Sequence, residues 1–382
     1  MAVGSRRLPP VPAAMNRSVV VRRLPVLDRP GAREIVISDI HGTLSLYRRL
    51  LAECGYRHGT DRLILAGDLV EKGPENLALL RYVMEQVKTG DVWCLMGNCD
   101  FTAKNVLFSY RLSFLKSVIT SRQSLIMEMA DSLGISPETM DMDAFCQQLR
   151  QAYLPELSFL ADLPHVLVSP ERIYAHAAIM NETDFGSDFR EVMTTPFFLH
   201  TDQSFSRPVI VGHMPVSEYR SRTIDFQPVF DPARNIWSID GGNVVKRSGQ
   251  LNALLFQEGT VTTASVDALP RTTVIQSCRP GVQIPFAMSW NHREITIEDH
   301  AGSQTLVHSL WLRRSFWVPD AFLESGNVSE YTNYRMPVEQ GEQVSVVLIC
   351  QDQALIKKHS VLGWVETACL DMTGSGSWDT AS

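Results

Sequence analysis

Three short apolar runs, EIVIS (34–38), RLILA (62–66) and VWCLM (92–96), limit the fold of the first hundred residues more than any other feature. Each is too short for a helix and apolar through its centre, which is the pattern of a buried strand. Between them, Leu44, Leu50 and Leu51 give one helical face, and Leu77, Leu80, Met84 and Val87 give another within ENLALLRYVMEQV (75–87). Strands alternating with helices need crossover connections, and therefore a parallel or mixed sheet covered by helices.

Residues 105–160 read as a mainly helical insertion without a site signal, in which SPETM starts a helix with Ser136 as cap and Pro137 at its first position. Strands resume at HVLV (165–168), RIYAHA (172–177), PVIVG (208–212), NIWSID (235–240) and NALLF (252–256). Beyond residue 258 the texture changes to short alternating runs such as REITI, SFWVP and QVSVVLI separated by turn residues, which predicts a small all-β module. The expected organisation is a disordered basic leader (1–32), an α/β domain (33–258), an all-β module (259–370) and a flexible tail (371–382). The Arg-rich leader reads as a bland extension, with Met15 as an alternative start.

A net charge of −7 argues against a dedicated nucleic-acid binder, and no apolar run approaches the ~18 residues that would span a bilayer. Seven cysteines without a CxxC pair read as reduced thiols, and so as a cytoplasmic chain with no membrane partner.

The polar residues just past each strand carry the chemistry. The first strand runs into Asp39 and His41, the second into Gly67-Asp68, the third into Gly97-Asn98, and later ones end at His176 and at Gly212-His213. Ligands of open α/β sheets bind at the carboxyl ends of strands, so the pattern predicts two Asp, three His and one Asn delivered to one edge of one sheet. Each alone is ordinary: an Asp after a strand caps a helix, and Gly-Asp makes a turn. Carboxylates gathered together would repel unless cations neutralised them, and this mixture of carboxylate, imidazole and amide suits Mn, Fe, Zn or Mg, with a ligand count for two metals.

The order Asp39-Ile-His41, Gly67-Asp68 with Gly73, Gly97-Asn98-Cys99-Asp100, His176 and Gly212-His213 resembles the calcineurin-like metallophosphoesterases across roughly residues 33–258. The resemblance implies a sandwich of mixed β-sheets flanked by helices. It implies that Asp39 and His41 hold one divalent metal, that Asp68 bridges two, and that Asn98, His176 and His213 hold the second, with Mn favoured. A water or hydroxide between the metals would be the nucleophile. GDLVEKGPEN and GHMP are similar to the phosphoprotein phosphatase branch and its bacterial relatives, where the phosphate-binding residues would be Asn98 and Lys72. Lys72 stands where that branch has an arginine, and Cys99 stands where it has the histidine that an acid, here Asp100, orients toward the leaving group. The implied function is hydrolysis of a phosphorylated protein or small molecule. The alternatives are a phosphodiesterase or dinucleoside tetraphosphate hydrolase, and a weakly catalytic metal-binding regulatory protein. The segment EYTNYRMPVEQGEQVSVVLICQDQALIKKHSVLGWVE resembles a bacterial SH3-like barrel, which implies a peptide ligand or a packing role.

Overall fold

The computed structural model describes residues 15–281, 284–373 and 378–381. They fall into two compact units. The first holds the residues up to Met214 together with Pro228–Val244 and Leu251–Val266. The second holds Pro215–Gln227, Val245–Gln250 and the residues from Asp267 on.

In the first unit the elements follow in the order β1 (Val21–Arg23), β2 (Glu34–Ile37), α1 (Leu44–Glu53), β3 (Arg62–Leu65), α2 (Asn76–Val87) and β4 (Val92–Cys94). Four helices follow, α3 (Thr102–Leu107), α4 (Leu112–Thr120), α5 (Leu125–Leu133) and α6 (Met142–Ala161), as the helical reading of 105–160 anticipates. Then come β5 (Val166–Val168), β6 (Ile173–Ala175), α7 (Phe189–Thr194), β7 (Val209–Val211), β8 (Val229–Asp231), β9 (Ile236–Ser238), β10 (Leu251–Gln257) and β11 (Thr260–Val266).

These strands make two sheets, as the implied sandwich requires, and not the single sheet that the strand-end pattern predicts. Strands β11-β10-β2-β3-β4 form the first in that order, and β1-β5-β6-β7-β9-β8 form the second. Both are mixed: β2, β3 and β4 run parallel, as do β6, β7 and β9, while β10 and β8 join antiparallel. Leu167, Tyr174 and Ile210 of one sheet share a buried cluster with Val36, Ile64, Leu254 and Phe256 of the other, so the core lies between two sheets in a mixed α/β sandwich. A run that is apolar on both faces is what such a layered arrangement demands: one face meets the other sheet and the opposite face meets helices. Helix α1 buries Leu44, Leu50 and Leu51, as its spacing predicts. Helix α2 buries Asn76, Leu79, Leu80 and Val83, leaving Leu77, Met84 and Val87 only half-buried, so its inward face is turned from the expected one.

Several boundaries differ from the sequence reading. The part of the leader that is described is ordered: Val21–Arg23 pairs in parallel with β5, Leu24 is buried, and Arg29 forms a fork to Asp91 with bonds of 2.9 and 2.6 Å. Extension of a sheet edge gives this segment backbone partners that its composition does not reveal. Residues 1–14 lie outside the described residues. The helix expected at SPETM starts later, at Met142, where Asp141 accepts from the N–H groups of Asp143 and Ala144. Ser136 instead accepts from the Glu138 N–H within a turn.

The second unit is built of β-strands, with only single turns of 3₁₀ helix among its described residues. Ile295–Ala301, Gln304–Ser309 and Arg314–Pro319 form an antiparallel meander. Arg271–Thr273, Gln343–Cys350, Gln353–Lys358 and Val361–Glu366 form a second antiparallel sheet. Thr380–Ala381, within the expected flexible tail, adds a parallel strand to it. The sequence division at 258/259 and the compact units differ in three segments. β11 belongs to the first unit, and residues 215–227 and 245–250 belong to the second, where the fully buried pair Lys246–Glu218 closes at 2.6 Å.

Candidate functional site

Every sequence-predicted ligand follows the carboxyl end of a strand, but the ligands are divided between the two sheets. Asp39, Asp68 and Asn98 follow β2, β3 and β4 of one sheet, whereas His176 and His213 follow β6 and β7 of the other. The expectation of a single sheet edge fails because the sandwich brings two parallel triplets side by side with their carboxyl ends together.

The side chains converge. His41 Nε2 lies 3.7 Å from Asp68 Oδ2 and 3.9 Å from Asp39 Oδ1. His176 Nε2 lies 3.4 Å from Asp68 Oδ1 and 3.1 Å from Asn98 Oδ1. The His213 ring sits 5.1 Å from that of His176, and its backbone N–H donates to Asp39 Oδ2 at 3.0 Å. Two groups of three have ligand atoms within 4.8 Å of one another, His41–Asp68–Cys99 and Asp39–Asp68–His176, with Asp68 common to both. A shared central carboxylate is what a two-metal site needs.

The backbone is held out of its ordinary range to achieve this. Asp39, His41, Asp68 and His213 have φ of 53, 49, 51 and 68°, in the left-handed region, although none is glycine. Each such residue costs about 1–3 kcal/mol, and strain of this kind collects at functional sites. Gly97 and Gly212 make room for the carboxylates. A Cβ at Gly97 would lie 2.1 Å from Asp68 Oδ1, and one at Gly212 would lie 2.1 Å from Asp39 Oδ2.

Three further residues lie beside these side chains. Lys72 Nζ lies 3.3 Å from His41 Nε2, and although burial opposes its charge, Cys99, Asp68, Asp39 and Asp240 together raise its pKa. Cys99 is buried, and burial with the Asp68 charge pushes its thiol well above the usual range, so it is protonated at neutral pH. Asp100 orients no side chain at position 99 and is spent on backbone instead. Its Oδ1 accepts from the N–H groups of Leu69 and Val70 at 2.9 and 3.2 Å, and its Oδ2 accepts from that of Gly97 at 2.9 Å. It therefore pins the Asp68 loop to the Asn98 loop.

Two residues escaped the sequence reading. Asp240 follows β9 just as Asp39 follows β2, and burial and the Asp39 charge raise its pKa well above normal. The strand-end rule that found the others would have found it. Arg122 lies between α4 and α5 in the block read as featureless, where only proximity in space could reveal it. Its Nε reaches Glu71 Oε2 at 3.2 Å, and its charge is felt at Cys99. Glu71 is fully buried and also accepts from Thr102 and Ser124, so it serves as the anchor that aims this guanidinium.

The donors fit divalent cations. Burial first, and then the charge of Asp68, raise Asp39 to about 8, while burial lowers His41 to about 3. The imidazole is thus in its ligating form, and the carboxylates repel until a cation stands between them. A stability consequence follows for the metal-stripped chain. Asp39 holds its proton in the folded state up to about 8 but releases it near 3.8 when unfolded, so this contribution is lost as pH rises between those values. His41 acts oppositely, but only below 6.5. Between pH 6.5 and 8 the melting temperature of the stripped chain should therefore fall with rising pH, and saturating Mn should flatten the slope. A stripped chain whose melting temperature rises over that interval would contradict the assignment.

The chain is similar to known proteins over part of its length. Residues 33–157 match the family model described as calcineurin-like phosphoesterase. A symmetrical bis(5'-nucleosyl)-tetraphosphatase of Aromatoleum aromaticum is 47% identical over 74 residues, which are 19% of this chain and 26% of that protein. The asymmetrical bis(5'-nucleosyl)-tetraphosphatase PrpE of Bacillus velezensis is 28% identical over 220 residues, 50% of this chain and 81% of that protein. This chain thus spans about a quarter of the symmetrical relative and about four-fifths of the asymmetrical one. A serine/threonine phosphatase structure from Saccharomyces cerevisiae covers 66% of this chain and 85% of its own at 13% identity and a TM-score of 0.37. Residues 33–157, which supply Asp39, His41, Asp68 and Asn98, are thus the part of the chain that is similar to the calcineurin-like phosphoesterases.

Proposed function

We propose that this chain hydrolyses phosphate esters or anhydrides at a centre of two divalent cations. The observation that carries the reading is the convergence of Asp39, His41, Asp68, Asn98, His176 and His213 around one shared carboxylate, four of them on left-handed backbone. Bound divalent cations would neutralise phosphate oxygens and activate water. The oxygens of Asp39, Asp68 and Asn98 and the imidazoles of His41, His176 and His213 would hold them, and Mn, Fe, Zn or Mg fit these donors, with Mn favoured. Lys72, beside His41, supplies a positive charge to a phosphate oxygen. Arg122, aimed by Glu71, supplies the forked donor that a lysine lacks. In the metal-free chain, burial and the Asp68 charge hold the Cys99 thiol well above its usual range, so there it is protonated and no nucleophile.

The names of the relatives favour a nucleotide polyphosphate over a phosphoprotein as substrate. The regulatory reading draws its support from Cys99 and Lys72, which replace a histidine and an arginine of the related phosphatases. One experiment separates them: the stripped protein is reloaded with Mn, Zn or Mg, then offered nitrophenyl phosphate, bis-nitrophenyl phosphate and diadenosine tetraphosphate. Metal-dependent turnover of at least one is expected. Full metal loading with no turnover on any would leave the regulatory reading.

A further inference from the structure

We infer that a cavity walled by the helical insertion, next to the metal-binding residues, is the subsite for the aromatic base and outer phosphates of a nucleotide polyphosphate; this rests on the phosphoesterase reading above. The cavity measures about 510 Å³, much larger than a phosphate group needs and in the range that encloses a whole organic ligand. It is continuous with the site, because Asn98 lines it, as does Thr194, whose backbone pairs with His213.

Two chemistries line this cavity. One is aromatic: Phe101 packs against Phe189 with centroids 5.2 Å apart and against Tyr110 at 6.5 Å, and Phe114 at its edge is 47% exposed. A large exposed ring at a cavity rim offers an unused face for stacking. The other is cationic: Arg17, Arg111 and Arg190 line the cavity, and Asp188 is the only carboxylate that pairs with any of them among the described residues, bonding Arg190 through both oxygens and lying 3.6 Å from Arg17. Arg111 has its guanidinium carbon 4.4 Å from the Phe114 ring centre and no carboxylate partner among the described residues. Its φ of 52° at the start of α4 is a strained position that no side-chain cap repays. A locally positive pocket in a chain of net charge −7 selects anions. Rings and guanidinium groups together select a ligand that is aromatic at one end and multiply charged at the other. A phosphoserine residue has neither an aromatic ring nor a second phosphate, and a simple monoester has no second phosphate.

The test uses the full chain and two readouts. Calorimetry measures binding of adenylyl imidodiphosphate, and kinetics measure the ratio of kcat/KM for diadenosine tetraphosphate over inorganic tripolyphosphate. Phe114→Ala and Arg111→Ala should each weaken nucleotide binding and lower that ratio by about 5- to 100-fold, as expected for loss of one stacking contact. Phe114→Trp, which keeps the ring, should retain both. Binding that is unchanged in both alanine variants, or a phosphotyrosyl peptide that outcompetes the nucleotide through the same residues, overturns the inference. Nucleotide binding that depends on Phe114 without any turnover would overturn the phosphoesterase reading and leave the subsite standing.

Discussion

Replacing Asp68 with Asn is expected to empty the metal centre and to lower phosphate-ester turnover by well over ~10²-fold, because even the loss of a residue that merely supports a metal ligand costs 10–100-fold. Asp68 is the residue common to both ligand groups. Its Oδ1 accepts from the Cys99 N–H at 2.8 Å and faces His176, while its Oδ2 faces His41. The amide preserves shape and one acceptor but removes the charge that two cations would share. It also removes the charge that, after burial, contributes to the raised pKa of Asp39, and it removes the attraction of Asp68 to His176, His41 and Lys72. Metal analysis and kcat/KM on nitrophenyl phosphate would check this. Two ions per chain and undiminished turnover would dismiss the shared-ligand assignment.

The second large effect lies in the choice of leaving group. An alkyl phosphate should turn over about 10²–10⁴-fold more slowly than nitrophenyl phosphate, since that is the usual worth of general-acid help and Cys99 occupies the place of the acid. Nitrophenolate departs without a proton, whereas an alkoxide does not. Cys99→Ser should change the rate on nitrophenyl phosphate by no more than a few fold, because the proposed mechanism gives the thiol no part in attack. The sequence pattern implied that a histidine at this position would be oriented by Asp100. In the structure that carboxylate is fully engaged by the N–H groups of Leu69, Val70 and Gly97, so Cys99→His should recover little. A flat dependence of rate on leaving-group pKa in the parent enzyme would show that some other residue delivers the proton.

The differences between sequence and structure follow one line. The strands appear where the local pattern places them: β2, β3 and β4 lie within the three apolar runs, and the candidate ligands lie just beyond them. Strand ends are legible because an apolar run must stop, and the polar residue that stops it is visible in one dimension. Their partition into two sheets is not legible, since β10 joins β2 and β1 joins β5 across long sequence separations. Hydrogen-bond pairing of that kind leaves no trace in periodicity. The ordering of residues 21–24 belongs to the same class.

For the site, the amino-acid sequence by itself determined the set of candidate donors, because carboxylate, imidazole and amide at successive strand ends have a narrow range of chemistry. Only the tertiary structure decided which neighbours surround it. Arg122 reaches the site because buried Glu71, about fifty residues earlier, accepts its hydrogen bond. Asp100 became a brace because three backbone N–H groups in two loops point at it. The aromatic and arginine-lined cavity exists because α3, α4 and α7 meet beside Asn98. Donor chemistry is a property of single residues and can be read one at a time. Which charges and rings share a cavity depends on how far-separated segments pack, and that is set by burial of the whole core between the sheets.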